Sequence, residues 1–133
     1  MTSTMRRLGG AGLDGAQTAA LAAYVSALPR PRTVAHEAAQ VARGAAVFEA
    51  EGCRTCHSDA LTTDRERHDV GGSLAQVDTP SLVGLAASAP YYHDGSAATL
   101  AALLDGRGLV HGMTDAELTP TQRADLIAYL ETL

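Results

Sequence analysis

The sequence predicts an all-α fold for this chain of 133 residues. Hydrophobic residues make up 46% of the chain but aromatic residues only 4%, so the core must consist largely of Ala, Leu and Val; Ala and Leu also favour helix. Apolar residues recur at helical spacing in several segments, which proline and glycine separate. No pair of strands is predicted. A chain of this size has room for one domain, or for one domain with an appendage.

The first predicted helix spans residues 15–28. Asp14 and Gln17 are placed as its capping box, in which each side chain bonds the backbone N–H of the other residue. Pro29 and Pro31 end the helix, because proline lacks an N–H donor and restricts the residue before it.

We predict two parts of the chain: residues 1–33 form a terminal helix and a Pro/Arg linker, and residues 34–133 form the main domain. The terminal helix resembles the end of the chain, since the same residue types recur at the same spacing in Leu13, Gln17, Leu21, Tyr24 and Leu28 and in Leu118, Gln122, Leu126, Tyr129 and Leu133. Either any two amphipathic Ala/Leu helices look alike, or residues 1–28 are a remnant of a preceding domain of the same type.

The main domain is predicted to begin with a helix over residues 34–51, which Gly52 ends. Residues 58–90 are predicted to be mostly loop, because glycine and proline interrupt every apolar run. One short helix is expected near residues 81–87.

Two more helices are predicted towards the end of the chain. The first spans residues 97–104, with Ser96 as its N-cap. The second begins at Thr119, where a capping box with Gln122 and a proline in the first turn coincide. Its inward-facing residues are expected to be Leu126, Tyr129 and Leu133.

The charge of the chain excludes some classes of partner. The formal net charge is -5, and all ten basic residues are arginine. Because binding to a nucleic-acid backbone needs a basic surface, we expect no nucleic-acid partner.

No segment approaches the roughly 20 apolar residues that a membrane-spanning helix needs, so no membrane span is expected.

Both cysteines of the chain lie in one short motif, Cys-Arg-Thr-Cys-His, which ends at His57. Cys53 and Cys56 project from one side of a helical turn, so their sulfurs can reach the two vinyl groups of one haem while the histidine binds the iron. Cys-x-x-Cys-His is the attachment motif of a c-type haem. We therefore predict one covalently bound haem c per chain, with His57 as the proximal iron ligand.

Three other uses of the two cysteines fit the sequence less well. A thioredoxin-like redox pair would accompany a βαβ pattern, which the sequence lacks. A structural zinc site could use both cysteines with His57 and His68, but a second ligand pair at zinc-finger spacing is absent. A simple disulfide would not need a histidine after the second cysteine.

The sixth position of the iron has several candidate ligands. His111 and Met113 stand out, because they lie between residues 106 and 119, where a loop could fold over the haem face opposite His57. The residues alone do not choose between the imidazole and the thioether. The other candidates are His36, His68, His93 and Met5.

From residue 36 to residue 133 the chain resembles a class I c-type cytochrome domain, and more closely the C-terminal haem domain of bacterial di-haem cytochrome c peroxidases and of the methylamine-dehydrogenase maturation enzymes. Several ordered segments carry the resemblance besides the haem motif: Arg43–Phe48, His68–Gly71, Asp78–Leu82, Ala89–Ser96 with Thr99–Leu100, and Leu126–Leu130.

The resemblance implies a cytochrome c-like fold, in which helices and long loops surround one covalently bound haem. Gly44 and Phe48 would then pack the first helix of the domain against the last helix. Pro80 and Tyr91 would lie near the haem ring, and His93 and Asp94 would hold their loop. The family places its sixth ligand in a Met-Gly or His-Gly pair, which favours His111 over Met113.

The resemblance also implies electron-transfer chemistry, with a redox partner protein that the sequence does not identify. The peroxidases use two haems, whereas this chain has one Cys-x-x-Cys-His motif. We therefore predict a mono-haem domain that carries single electrons, with no catalytic residue assigned. The alternative is the haem domain of a peroxidase-like oxidoreductase whose other haem domain is absent from this chain.

The resemblance finally implies a periplasmic or other extracytoplasmic location, because bacteria attach haem c outside the cytoplasm. Residues 1–13 contain Arg6 and Arg7 but then glycines instead of the apolar stretch of an export signal. We therefore expect the sequence to be a fragment or to have a misassigned start.

Overall fold

A computed structural model of the chain describes residues 9–69, 74–105 and 118–133. Within these ranges it confirms a mostly helical fold. The α-helices are α1 (Gly15–Ala27), α2 (Ala38–Ala50), α3 (Leu100–Asp105) and α4 (Pro120–Leu130). Two short 3-10 helices span Cys53–Thr55 and Leu85–Ala87. The chain divides into two compact units, Met1–Arg30 and Pro31–Leu133.

Helix α1 belongs to the first unit and begins where the sequence predicts. The predicted capping box is formed: Gln17 N–H donates to the Asp14 carboxylate at 2.8 Å, and Asp14 N–H donates to the Gln17 side-chain oxygen at 3.0 Å. The helix ends at Ala27, just before the proline-containing segment. None of its residues is buried.

The core of the second unit is built where α2 crosses α4. Gly44 and Phe48 are buried on α2, and the rings of Phe48 and Tyr129 lie 5.3 Å apart. A methyl group at Gly44 would come within 2.7 Å of Tyr129 Cβ and would overlap the backbone oxygen of Asp125. The expectation that Gly44 lets the helices approach and that Phe48 packs between them is confirmed.

Helix α2 begins at Ala38, not at Val34 as predicted. Residues 34–37 lie before the helix and contact the end of the chain: Val34 N–H donates to the Glu131 carbonyl at 3.0 Å. The His36 imidazole also lies 2.6 Å from the Glu131 carboxylate. Bonds to the distant end of the unit therefore replace the first helical turn that the apolar pattern suggested.

The last two helices confirm one predicted cap and correct another. Thr119 and Gln122 form the predicted capping box of α4, with Pro120 in its first turn. Helix α3 is capped by Thr99, whose hydroxyl accepts the N–H of Ala102 at 3.0 Å. The prediction of Ser96 as the cap is wrong, because Ser96 N–H instead donates to the Asp94 carboxylate in the preceding loop.

The prediction of no strand pair is also wrong. Strands β1 (Arg67–His68) and β2 (Val77–Asp78) form an antiparallel ladder, with Arg67 opposite Asp78. Strands of two residues are too short to show an alternating pattern in the sequence.

Among the residues described, no helix is long and apolar enough to span a bilayer.

Candidate haem-attachment site

The backbone after α2 presents the cysteine motif on a single turn. Gly52 adopts a left-handed conformation with φ of 71°, which suits glycine and ends the helix. The chain then winds into the 3-10 helix Cys53–Thr55, and the N–H of His57 donates to the Cys53 carbonyl at 3.0 Å. Cys53, Cys56 and His57 are thereby held together immediately beyond the end of α2.

One backbone carbonyl orients the His57 ring. Its Nδ1 lies 3.0 Å from the carbonyl oxygen of Thr62. A carbonyl can only accept a hydrogen bond, so Nδ1 carries the proton and Nε2 carries the lone pair of the neutral ring. The Thr62 hydroxyl accepts the N–H of Leu82 at 2.7 Å, which fixes this loop to the next one.

Thr62 was not among the residues that the sequence singled out. The Thr62 backbone has φ of 54°, a left-handed conformation that is uncommon for a β-branched residue. Its contact with the histidine is made by a backbone atom, so its side-chain type gives no signal for the role. The role is visible only once the loop is folded.

The two thiols lie in surroundings that disfavour their charged form. Burial raises the pKa of Cys53 to about 11, and the nearby Glu51 carboxylate adds to that rise. Burial, with a smaller contribution from Asp64, also raises the pKa of the Cys56 thiol. Both cysteines are free thiols. Reactive redox cysteines have a lowered pKa, so these surroundings do not favour a thioredoxin-like pair.

The packed core between α2 and α4 lies next to the haem motif. The Phe48 ring lies 6.5 Å from the His57 ring, and the Arg54 guanidinium lies 5.9 Å from the Phe48 ring centre. Arg54 also pairs with Glu49 on α2. Any group bound through His57 would therefore lie next to the packed core that contains Phe48.

The two residues that the resemblance put near the haem ring have different surroundings. Tyr91 is buried, and its hydroxyl donates to the Leu85 carbonyl at 3.1 Å. Pro80 is exposed. The preceding carbonyl, of Thr79, accepts the hydroxyl of buried Thr63 at 2.7 Å. The Asp94 carboxylate holds the 89–96 loop by accepting the N–H of Ser96 at 3.0 Å.

A second group of polar residues lies beside the motif. Potential ligand atoms of Cys56, Asp64 and His68 lie within 4.8 Å of one another. The N–H of Glu66, and next the His68 ring at 2.7 Å, lower the pKa of Asp64 to about 2. This group could hold a cation only while Cys56 keeps its thiol, because a thioether sulfur no longer offers a thiolate. The zinc alternative included Cys56 and His68 but missed Asp64.

The two candidates for the sixth iron ligand, His111 and Met113, lie outside the described residues. Two other histidines that the sequence offered have carboxylate partners. His36 pairs with Glu131 at 2.6 Å, and His68 pairs with Asp64 at 2.7 Å.

Comparison with known proteins gives the class of protein to which this site belongs. Residues 41–133 match the sequence profile of the family described as Cytochrome c. The chain therefore belongs to the cytochrome c family, which implies covalently bound haem c. The cytochrome c-like fold predicted from the resemblance is confirmed.

Two curated proteins are homologous to the chain. It is 34% identical over 122 residues to the methylamine utilization protein MauG of Methylorubrum extorquens, covering 71% of this chain and 35% of that protein. It is 32% identical over 119 residues to the protein of the same name from Methylophilus methylotrophus, covering 68% of this chain and 36% of that protein. The chain thus spans little more than a third of the length of these relatives.

Two solved structures share the fold. A chain of hydrazine synthase from Kuenenia stuttgartiensis matches with a TM-score of 0.73 and 23% identity, over 92% of this chain and 56% of that chain. A MauG-like protein associated with microbial copper homeostasis matches with a TM-score of 0.62 and 23% identity, over 74% of this chain and 45% of that chain. At this level of identity the likeness concerns the fold alone.

Proposed function

We propose that this chain is a mono-haem c-type cytochrome domain that carries single electrons. The observation that carries the proposal is the turn after α2, where two thiols and an imidazole with its lone pair on Nε2 are held together. Membership of the cytochrome c family supports it. A bound haem supplies a one-electron iron couple, and the protein supplies attachment, axial ligands and a pocket of low polarity.

Each residue of the site has a distinct role in this proposal. Cys53 and Cys56 would hold the haem through two thioether links. His57 would bind the iron through Nε2, while the hydrogen bond from Nδ1 to the Thr62 carbonyl keeps the ring in place and would make Nε2 a stronger donor. Pro80 and Tyr91 line the pocket.

The residue that completes the iron coordination is His111 or Met113. A methionine would raise the reduction potential and a second histidine would lower it. The resemblance to the His-Gly pair of the family favours His111. The redox partner is a protein of unidentified type.

The first test is the visible spectrum of protein matured in the periplasm, together with haem staining after denaturation. We expect one haem per chain that stays attached on denaturation. The double substitution of Cys53→Ala and Cys56→Ala should abolish the covalent attachment, and His57→Ala should abolish the low-spin spectrum. His68→Ala is the matched control, because that imidazole is bonded to Asp64 and should leave both readouts unchanged.

The second test names the sixth ligand. Either His111→Ala or Met113→Ala, but not both, should convert a six-coordinate spectrum into a five-coordinate one. If the unmodified protein is already five-coordinate, or if it takes up zinc and no haem, the electron-carrier proposal is wrong.

A peroxidase-like oxidoreductase is the second candidate function. Homology to the MauG proteins favours it, and so does the fact that the chain spans 35% and 36% of their length. The other haem domain would then lie in sequence outside this chain. Rapid binding of added cyanide or hydrogen peroxide to the ferric protein supports this candidate, whereas a carrier with both axial positions filled should resist them.

We also propose a periplasmic or other extracytoplasmic location for the mature protein. The proposal rests on the family, because haem c is attached outside the cytoplasm in bacteria. Cell fractionation tests it: haem-containing protein should appear in the periplasmic fraction, and haem-containing protein confined to the cytoplasm would contradict it.

A further inference from the structure

Three side chains beside the haem motif form a group that the electron-carrier proposal does not use. Ligand atoms of Cys56, Asp64 and His68 lie within 4.8 Å of one another, and all three residues are half-buried. Among the described residues, the group does not extend to Cys53 or His57. It therefore differs from the zinc alternative drawn from the sequence, which used both cysteines with two histidines.

Backbone contacts fix the positions of these three residues. The Asp64 N–H donates to the Cys56 carbonyl at 2.9 Å, which ties the loop to the haem motif. The Glu66 N–H donates to the Asp64 carboxylate at 3.0 Å and orients it. His68 lies on β1, whose pairing with β2 holds the backbone on that side. Ligands oriented in this way by surrounding hydrogen bonds are typical of metal sites.

We propose that, before haem is attached, the chain binds one zinc ion between Cys56, Asp64 and His68. Thiolate, imidazole and carboxylate are the three ligand types that zinc takes in proteins. The His68 Nε2 atom and the Asp64 carboxylate already lie 2.7 Å apart. Zinc bonds of about 2.0–2.3 Å in a tetrahedron put the ligand atoms about 3.3–3.5 Å apart, so small side-chain movements suffice.

The charge of the group suits a divalent cation. A thiolate at Cys56 and the carboxylate of Asp64 would carry two negative charges, which one zinc ion neutralises. The arginines on either side of Glu66 are bonded to other carboxylates. Arg65 pairs with Asp59, and Arg67 pairs with Asp78.

Solvent can reach the site, which leaves a path for the ion. The His68 side chain is 38% exposed and the Asp64 side chain is 18% exposed. Three protein ligands leave the fourth zinc position for a water molecule.

Zinc binding and haem attachment at Cys56 exclude each other. Once the Cys56 sulfur is part of a thioether, it no longer offers a thiolate, and only Asp64 and His68 remain as ligands. The proposed zinc form is therefore a form of the chain that precedes the haem-bearing protein.

The test is a metal titration of the full chain, made in the cytoplasm without haem and kept reduced. Co²⁺ serves as the spectroscopic probe, and we expect one equivalent per chain with a thiolate-to-cobalt charge-transfer band that Zn²⁺ removes by displacement. Mg²⁺ should not displace the cobalt, because it does not favour thiolate ligands.

Variants distinguish this site from chelation by the cysteine motif alone. Cys56→Ser, Asp64→Asn and His68→Ala should each weaken zinc binding by at least about tenfold. Cys53→Ser and His57→Ala are the matched controls and should bind zinc as the parent does. Circular dichroism verifies that each variant keeps the helical content of the haem-free parent. The protein with haem attached should also bind zinc at least about tenfold more weakly than the haem-free chain.

Four outcomes would overturn the proposal. The haem-free chain binds no Co²⁺ or Zn²⁺; binding is lost with Cys53→Ser or His57→Ala; binding survives both Asp64→Asn and His68→Ala; or the protein with haem attached binds zinc as tightly as the haem-free chain. The variant titrations use haem-free protein, so their result is independent of the electron-carrier proposal.

Discussion

At the scale of single residues, the haem motif depends on its neighbours for geometry. His57 has two nitrogens that could face the iron, and the Thr62 carbonyl selects between them by accepting the proton on Nδ1. Thr62 is itself held by the N–H of Leu82, which its hydroxyl accepts at 2.7 Å. One threonine thus connects the proximal histidine to the segment that contains Pro80.

Thr62→Val should destabilise the protein by about 1–3 kcal/mol, because it leaves the N–H of the buried Leu82 without its acceptor. Thr62→Ser is the matched control, since it keeps the hydroxyl and should recover most of the loss. Denaturant unfolding of the three proteins measures the difference. Equal stability of the valine and serine variants would show that the hydroxyl contributes nothing.

The sequence predicted only those site residues whose role depends on the type of side chain. Cys53, Cys56 and His57 are recognisable because haem attachment needs those residue types at that spacing. Thr62 contributes a carbonyl, which every residue has, so its role could not be predicted. Asp64 was missed for a related reason: it lies four residues before His68, a spacing that predicts contact in a helix but not in the loop that these residues form.

At the scale of elements, the contact between α2 and α4 determines where the motif lies. Gly44 permits the close approach, Phe48 packs beyond it, and the haem motif begins five residues after Phe48. The Arg43–Asp125 pair closes the edge of the same contact. A change in the spacing of the helices would therefore move the Cys53–His57 turn.

Gly44→Ala should destabilise the second unit by about 1–3 kcal/mol, because the added methyl group overlaps the Asp125 carbonyl and forces the helices apart. Gly15→Ala is the control. Nothing lies within 4 Å of a methyl group at that position, so the change should be neutral or slightly stabilising. Thermal unfolding followed by circular dichroism distinguishes the two. A Gly44→Ala protein as stable as the parent would contradict the described contact.

The helices themselves were largely predictable, and their ends less so. The capping boxes of α1 and α4 were identified because their chemistry is local. The start of α2 and the cap of α3 were missed. Val34 is bonded to Glu131, which is distant in sequence. The cap of α3 is Thr99, a hydroxyl residue like Ser96, so residue type alone does not distinguish the two positions.

At the scale of the whole molecule, buried and bonded carboxylates set the response to acid. The Arg43 guanidinium lowers the pKa of Asp125, which lies within the α2–α4 contact. The N–H of Glu66 is the main cause of the low pKa of Asp64, about 2, beside the haem motif. A carboxyl group whose pKa is lower in the folded state binds protons more readily in the unfolded state, so acid favours unfolding.

Asp64→Asn should flatten the acid part of the stability curve. The stability that Asp64 contributes is present at neutral pH and is lost as the pH falls from about 4, its unfolded pKa, to about 2, its folded pKa. The variant should therefore be less stable than the parent at pH 7 and should lose less on acidification. Denaturant unfolding at several pH values measures this. Asp78→Asn is the control, because that side chain is 79% exposed; an unchanged slope in both variants would contradict the prediction.

The bond between Val34 N–H and the Glu131 carbonyl brings the two ends of the second unit side by side. A few added residues could join residue 133 to residue 34, since closing so short a gap has a small entropic cost. New termini could then be opened in an exposed loop, for example next to Gln76. Because its two ends are adjacent, circularly permuted forms of the haem domain should fold.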